Sequence, residues 1–514
     1  MVPTIYKWSM RWISCSGCLA IAAGCSLAPK YDRPPVSGSA TPFKELQGAT
    51  PSLSSDAAPL ADGGTWKTAQ PSESIPRGEW WTIFNDPKLD ELESEAALNN
   101  QNLEAAVARV KESRAITQTV RSGLFPTVNA GFGPTREKVS PASQFQPDGT
   151  DFPSQTLWRA QANAAYEVDL FGRVADSVQA SKADAQRSEA LLNSVLLALQ
   201  ADVAQNYFNL RELDAEIDVF RRTVTLRQQA LELVQHKYRE GDISELDLAR
   251  ARSELATARS DEMTVQRMRA ASEHSLAVLL GRAPSEFSMA ASPIEPIKVS
   301  VPPGLPSSLL ERRPDVAAAE QAMIAANARI GVAKSAYFPS LILTGSGGFE
   351  AATLSDLFKW SSRAFLLGPL VGTALTIPLF DGGKRKGNLA NSRAVYEENV
   401  ALYRQQVLTA FKEVEDNLSD LRILQDQVQT QSEAVDASSR AEQLSSTQYT
   451  EGAVNYLDVI DAQRTVLRSQ RAAVQLSGVQ AVATVNLVRA LGGGWGDAAA
   501  TPLAPGMEES ISVK

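Results

Sequence analysis

The sequence is poor in the residues from which most catalytic and metal sites are built. Its 514 residues include two histidines, His236 and His274, and each stands alone on a helical tract. No Gly-x-Ser-x-Gly motif, phosphate-binding loop, dinucleotide fingerprint or metal-spaced cluster of ligands occurs. We therefore expect a protein that is not an enzyme and that has no metal site and no cofactor.

The chain also lacks an excess of positive charge. It carries 50 lysines and arginines against 59 aspartates and glutamates, a net charge of −9, and it has no basic cluster. A surface that binds nucleic acid needs such a cluster, so we expect no nucleic acid partner. Charged residues make up 21% and hydrophobic residues 44% of the chain, which is typical of a folded protein.

Cysteine is scarce, and all three cysteines lie near the N-terminus. Two basic residues precede an apolar stretch, Trp12 to Ala23, that is too short for a membrane-spanning helix of about 20 residues. We interpret residues 1–24 as a signal peptide, because Ala22-Ala23-Gly24-Cys25 resembles a bacterial lipobox. Cys25 would then carry covalent lipid such as palmitate, and the Ser26 that follows favours the outer membrane. An ordinary secretion signal with an incidental cysteine is the alternative.

The sequence repeats itself at an offset of 211 residues. Tyr238-Arg239-Glu240-Gly241-Asp242 returns as Tyr449-Thr450-Glu451-Gly452-Ala453, and Leu246-Asp247 returns as Leu457-Asp458. This period is far longer than the about 20–50 residues of a solenoid repeat. It predicts an ancestral half that was duplicated in tandem, with matched elements placed pseudo-symmetrically around one axis.

The duplication divides the chain into segments. An extended, lipid-anchored segment at 25–84, rich in Pro, Ser, Gly and Ala, precedes the first repeat. Each repeat has the same predicted order of a helix, a strand pair and a helical hairpin. The remaining segments are repeat 1 at 85–280, a proline-rich linker at 281–306, repeat 2 at 307–491 and a C-terminal tail at 492–514.

Four short stretches alternate between apolar and polar residues, as strands with one apolar face do. They form the predicted strand pairs 126–133 with 157–169 and 340–349 with 370–379. Strands of about ten residues with this pattern are typical of an outer-membrane barrel, but known single-chain barrels need at least about eight strands. Because an open sheet edge cannot face lipid, a chain with four membrane strands must oligomerise to close the barrel.

Two long helical tracts follow the strand pairs. Residues 173–240 contain no proline and would extend roughly 100 Å as a helix. Their apolar positions recur at steps of four and seven, which predicts a coiled-coil seam. Gly241 turns the chain, and we expect Asp242 and Glu245 to form a capping box for the return helix. The second tract repeats this plan, with a tip near Gly452 and Asn455 as the expected helix cap.

Three strings point to a family: Asp169-Leu170-Phe171-Gly172-Arg173, Glu311-Arg312-Arg313-Pro314-Asp315-Val316 and Ala490-Leu491-Gly492-Gly493-Gly494-Trp495. Together with the lipobox and the doubled plan, they resemble the TolC-like outer-membrane efflux factors, particularly the lipoprotein branch. The resemblance implies a mainly α-helical protein with a membrane β-barrel. Three chains with four strands each would form a homotrimer with a twelve-stranded outer-membrane barrel, continuous with a long α-helical coiled-coil tunnel in the periplasm.

The resemblance also implies a function and partners. Such proteins are exit ducts of tripartite efflux pumps, and they bind a periplasmic adaptor (membrane fusion) protein, an inner-membrane pump and outer-membrane lipid. The expected cargo is small molecules, namely drugs, toxic compounds or metal ions. Two alternatives stay open: a duct for type I protein secretion, and a lipid-anchored periplasmic coiled-coil scaffold, which would not need the strand pairs.

Several residues near the two turns acquire expected functions from this resemblance. Asp458 and Asp461 correspond to an acidic aperture ring, although acids near a helix start also simply stabilise its dipole. Asp247 and Tyr449 correspond to a latch that holds the periplasmic end closed, but Val454 stands where a cation is expected. The candidates for adaptor docking are the six tip residues Glu240, Gly241, Asp242, Glu451, Gly452 and Ala453.

Overall fold

The structure is a computed structural model of the chain. It describes residues 26–35, 43–47, 79–138, 151–294, 312–367 and 375–493, together with residues 140, 145, 147 and 149. The predicted signal peptide, Cys25, part of the proline-rich linker and residues 494–514 lie outside the described residues.

The two halves of the chain have a similar order of elements. The first half contains α1 (Lys44–Gln47), α2 (Pro87–Asn99), α3 (Gln101–Arg121), β1 (Thr127–Glu137), β2 (Gln155–Val168), α4 (Arg173–Glu240) and α5 (Glu245–Leu279). The second half contains α6 (Pro314–Ser335), β3 (Ser340–Ala351), β4 (Arg363–Leu367), β5 (Leu375–Thr376), α7 (Lys384–Thr450) and α8 (Tyr456–Ala490). In the described part of the chain, no helix is long and apolar enough to cross a membrane.

The chain divides into two compact units, of which the first contains the strands. This unit comprises residues 1–34, 110–188 and 319–403. Its strands form one antiparallel sheet in the order β1-β2-β3-β4, and β5 also pairs with β3. β2 of the first repeat lies beside β3 of the second, from Trp158 opposite Ala351 to Val168 opposite Leu341. The two repeats therefore build a single sheet.

This sheet has one apolar and one polar face. Successive side chains of β2 alternate from Trp158 on one face to Arg159 on the other. Large apolar side chains on the Trp158 face are uncovered: Val128 is 68% exposed, Phe132 65% and Phe365 80%. An uncovered apolar surface of this kind needs lipid or another protein as its neighbour.

The strand boundaries differ from the sequence-based prediction. β1 continues to Glu137, past Pro134, because β1 has only one neighbouring strand and an edge strand accommodates a residue without an N–H. β2 starts two residues earlier than predicted, and β3 continues to Ala351. The predicted strand 370–379 contains β5, which pairs with β3, whereas β4 lies before the predicted strand and was not predicted. Residues 368–374 lie outside the described part.

The second unit comprises residues 35–109, 189–318 and 404–514 and is helical in its described residues. Side chains that are at most 1% exposed in its core include Leu89, Leu92, Ala96, Leu210, Leu276 and Leu280. Asn100 divides the predicted first helix into α2 and α3. Its Oδ1 accepts a hydrogen bond from the Leu103 amide at 3.0 Å, and its Nδ2 donates to the Leu279 carbonyl at 2.8 Å. The side chain thus caps α3 and ties it to the end of α5.

Candidate functional site at the helical tips

The two helical tips have the same backbone geometry. Gly241 follows α4 with a φ of +86°, and Gly452 lies just beyond α7 with a φ of +79°. Both angles are in the left-handed region, which glycine adopts readily and other residues adopt with strain. The next amide donates to a carbonyl five residues earlier, at 3.0 Å for Asp242 and 2.8 Å for Ala453. These bonds define Schellman motifs, so the backbone of each tip requires its glycine.

The helices that leave the tips begin with matched polar caps. The N-cap of α8 is Asn455, as predicted, and the N-cap of α5 is Ser244, which was not predicted. The Asp458 carboxylate accepts a hydrogen bond from the Asn455 amide at 3.1 Å. The Asp247 carboxylate accepts one from the Ser244 hydroxyl at 3.0 Å. Both aspartates therefore take part in starting a helix, in addition to any function that they have in a channel.

The predicted capping box of Asp242 and Glu245 is wrong. Glu245 is already the first residue of α5, and the cap lies between the two, at Ser244. The Asp242 amide is used by the turn that ends α4. Because the left-handed glycine adds residues to the turn, the return helix starts later than the residue pattern predicted.

An apolar cluster lies beneath both tips. Its buried members come from all four helices of the two hairpins: Leu231, Val234, Leu248, Ala251, Leu255, Tyr449, Tyr456, Val459 and Ile460. Val454, which replaces the expected cation, packs against this cluster together with Ile243. Apolar burial therefore joins the tips at a place where the family resemblance implies an ionic contact.

The predicted latch residues are not joined by a hydrogen bond. Tyr449 is 8% exposed, and its hydroxyl is buried with no hydrogen-bond partner. Burial, and secondarily the Asp247 carboxylate, raise the pKa of Tyr449. The Lys237 ammonium lies 4.5 Å from the centre of the Tyr449 ring, a cation–π contact within the tip region. Asp247 itself contacts Ser244 and, at 3.4 Å, Arg250.

A charged contact that the sequence did not reveal links the two hairpins. The Glu254 side chain, on α5, is 12% exposed and accepts from the Arg464 guanidinium of α8 at 2.5 Å. The same carboxylate contacts Arg227 of α4 at 3.1 Å, and the Arg227 side chain is 5% exposed. Arg227 also donates to the Glu254 carbonyl at 2.7 Å. One carboxylate thus holds two guanidinium groups, one from each hairpin.

The two proposed aperture aspartates are both exposed in the single chain. The Asp461 side chain is 65% exposed and lies 3.8 Å from Arg464, which partly balances its charge. The described residues contain no cluster of acidic, histidine or cysteine side chains suited to a metal ion. The six predicted docking residues, Glu240, Gly241, Asp242, Glu451, Gly452 and Ala453, are also all exposed. The tips therefore present exposed residues above a packed apolar base.

Comparison with known proteins assigns the chain to a family. The family profile described as "Outer membrane efflux protein" matches residues 92–282 and again residues 305–493. The chain belongs to this family. The double match covers most of the chain and both hairpins.

Individual relatives resemble the chain over nearly its whole length. It is 33% identical to the toluene efflux pump outer membrane protein TtgF of Pseudomonas putida, over 94% of this chain and 96% of the relative. It is 31% identical to the cation efflux system protein CusC of Escherichia coli O6:H1, over 93% and 98%. The solved structure of the outer-membrane channel OprN matches with a TM-score of 0.79 and 28% identity, over 92% of this chain and 100% of that one. The protein is an outer-membrane efflux channel, and its predicted fold class and function are confirmed.

The efflux channel also anchors the segment that follows Cys25. In the first unit, the Ser26 hydroxyl donates to the Asp176 carboxylate at 2.6 Å, and Asp176 is 1% exposed. Gly331 makes this possible, because a Cβ there would overlap the carboxylate. Farther along the segment, Arg33 forms an ion pair with Glu320 at 2.7 Å. Residues 26–33 therefore contact α4 at Asp176 and α6 at Glu320, and no sequence motif indicated these contacts.

A pair of carboxylates lies where α4 and α8 of the channel approach closely in the second unit. Gly478 on α8 leaves room for the Glu212 side chain, which a Cβ would overlap. Glu216, 1% exposed, accepts from Gln475 at 2.6 Å and lies 3.6 Å from Arg471. Burial, and secondarily the Glu216 charge, raise the pKa of Glu212 to about 7. The Glu212 carboxyl in this contact between the hairpins therefore titrates at a higher pH than an ordinary glutamate.

Proposed function

We propose that three copies of this channel assemble into a homotrimer that joins a periplasmic adaptor (membrane fusion) protein and an inner-membrane pump. The observation that carries the proposal is the sheet. Its apolar face is uncovered, and β1 and β4 each have a single neighbour on the main strand path. A sheet with free edges cannot stand in lipid, whereas three copies can close one barrel.

The exposed tips are the proposed docking site for the adaptor. The glycine turns expose backbone groups, and the apolar cluster beneath them fixes the position of both tips. A partner helical hairpin can pack against such tips without requiring the channel to unfold locally. Asp458 and Asp461 are the proposed acidic ring at the same end, where three copies would bring like charges together and favour cations.

The contact between Glu254 and Arg464 is the proposed latch of the closed tunnel. Asp247 and Tyr449, which lack a mutual hydrogen bond within this chain, remain candidate latch residues beside it. Opening the tunnel by moving the second hairpin away from the first must break this ion pair and separate part of the apolar cluster. Neither contact requires a cation at Val454.

The proposed cargo is a class of small molecules rather than a single compound. The relatives are named for toluene and for cations, which differ widely in chemistry. This spread supports a duct whose wall is not selective among small molecules, with the choice of cargo made by the inner-membrane pump. No specific observation favours protein secretion, and the uncovered apolar sheet speaks against a scaffold.

The proposed anchor is lipid on Cys25 in the outer membrane. The Ser26 contact supports it, because the residue after Cys25 is held at a fixed place on the first unit. Cys25→Ser should abolish incorporation of labelled palmitate. Cys18→Ser, a change of a cysteine within the predicted signal peptide, should leave it unchanged. Wild-type incorporation in Cys25→Ser would show that the lipid is attached elsewhere, and no incorporation into the wild type would show that the lipid is absent.

The assembly is tested with the purified full-length protein. We expect an unboiled sample in detergent to migrate on a gel as a trimer and a boiled sample as a monomer. In a planar lipid bilayer the unboiled sample should form conducting channels. A monomeric product that remains water-soluble without its lipid, and that forms no channels, would contradict the proposal.

A further inference from the structure

We propose that Arg159 controls the ion selectivity of the barrel lumen, as the one cation in a three-strand ladder of charges on the inner face of the sheet. The inference rests on the proposed trimeric channel. Its starting point is a set of contacts within the first unit that the fold does not need for its apolar packing.

The ladder is built from one guanidinium and two carboxylates. Arg159 on β2 donates from Nε to Glu350 on β3 at 2.8 Å and from the terminal nitrogen to Glu137 on β1 at 2.9 Å. Each of the three side chains is 30% exposed. The residue opposite Arg159 on β1 is Gly133, which places no side chain in its way. Arg159 therefore bridges both of its neighbouring strands.

The register places the ladder on the polar face. Arg159 alternates with Trp158 and Ala160, and Ala160 lies between Phe132 of β1 and Phe349 of β3. In a membrane barrel the apolar face contacts lipid and the polar face lines the lumen. The ladder must therefore face the lumen once the barrel closes.

Its position along the strands is also defined. Glu137 ends β1 and Glu350 lies at the end of β3, next to the connections that follow these strands. The opposite ends of β1 and β3 join helices α3 and α6. Long loops in outer-membrane barrels lie on the extracellular side. The ladder is thus at the outer mouth of the channel.

The lumen face of the described strands is acidic. It carries Glu137, Glu167 and Glu350 against Arg159, a net charge of −2 in one chain. Glu167 is paired with Arg173 at the start of α4. The carboxylates at the mouth are those of Glu137 and Glu350, and Arg159 is the cation that contacts both. A permeating ion within a Debye length of about 10 Å senses each of these charges.

The test is the reversal potential of the trimeric protein in planar bilayers across a potassium chloride gradient. Arg159→Gln should raise the ratio of potassium to chloride permeability by roughly twofold or more at about 0.1 M salt. Glu137→Gln and Glu350→Gln should each lower it. Arg136→Gln is the matched control, because Arg136 is adjacent to Glu137 but lies on the opposite face. It should leave the ratio unchanged.

The outcomes separate this inference from the proposed channel. If wild-type protein forms no channels, the proposed trimeric channel itself fails. If it conducts and Arg159→Gln conducts with unaltered selectivity, the inference is overturned. If Arg159→Gln does not assemble, the two glutamate variants decide, and an unchanged ratio in both would overturn it. A shift in Arg136→Gln as large as that in Arg159→Gln would show that the faces are assigned incorrectly.

Discussion

The contact between Arg464 and Glu254 makes the proposed latch testable with one substitution. Arg464→Gln removes the cation that α8 offers to Glu254, whereas Glu254 keeps Arg227 as its partner within the first hairpin. The substitution therefore weakens the link between the hairpins without leaving a buried charge unpaired. We expect the closed arrangement of the tips to lose stability relative to the open one.

The size of the effect follows from the exposure of the two side chains. Arg464 is 53% exposed and Glu254 is 12% exposed. The pair thus lies between an exposed ion pair, worth about 0–1 kcal/mol, and a buried one, whose disruption costs about 3–5 kcal/mol. We expect a loss of about 1–2 kcal/mol per chain. A difference of about 1.4 kcal/mol changes an equilibrium constant tenfold. The equilibrium constant for opening should therefore rise about tenfold if one chain moves alone and about a thousandfold if three chains move together.

Single-channel recording in planar bilayers measures this change as the fraction of time spent in the high-conductance state. Arg468→Gln is the control, because it removes the same charge one helical turn farther along α8 and leaves Glu254 untouched. Wild-type behaviour in Arg464→Gln would refute the latch. An equal increase in Arg468→Gln would show that any loss of positive charge on α8 opens the channel.

Three further predictions concern the same region. Gly452→Ala should destabilise the second tip by about 1–2 kcal/mol, because residue 452 has a left-handed backbone, and should weaken adaptor binding. Gly387→Ala, inside α7, is the control and should be neutral or stabilising in thermal unfolding. Asp461→Ala should raise conductance or weaken block by divalent cations, and unchanged values of both would count against the acidic ring. For Glu212, whose pKa of about 7 exceeds its ordinary value of 4.5, folding is stabilised by the bound proton. The free energy of unfolding of the wild type should therefore fall by up to about 3 kcal/mol as the pH rises from 4.5 to 7, and partial solvent access makes this fall smaller. Glu212→Gln should unfold at a higher temperature than wild type at pH 8 but not at pH 4.5.

The hairpins and their tips could be predicted from the sequence because local rules determine them. A long tract without proline predicts a helix, and a glycine flanked by matching residues at an offset of 211 predicts a turn. The structure has both, with α4 ending at Glu240 and left-handed glycines at Gly241 and Gly452. Alternation likewise located β1, β2 and β3 to within a few residues.

Features that depend on distant contacts were not predictable in this way. The N-cap of α5, Ser244, is a local feature, but several neighbouring polar residues suit a cap and the turn geometry selects among them. Leu191 fits the apolar spacing of α4 but is 44% exposed. The spacing of apolar residues does not tell which of them a single chain buries. Glu254 and Arg464 are 210 residues apart, and each fits an ordinary solvated helix face when read alone.

The latch itself shows how the duplicated halves have diverged. At the offset of 211 residues, Glu254 corresponds to Thr465 and Arg227 to Ser438, so the second hairpin has no counterpart of the carboxylate and its internal partner. Arg464 corresponds to Ser253, so the first hairpin lacks the bridging cation at that place. Two identical hairpins with a carboxylate at this level would repel each other. Divergence has placed the carboxylate on one hairpin and a cation on the other, so the two hairpins carry complementary charges at this level. The helix caps and glycine turns, which both tips need, have stayed alike.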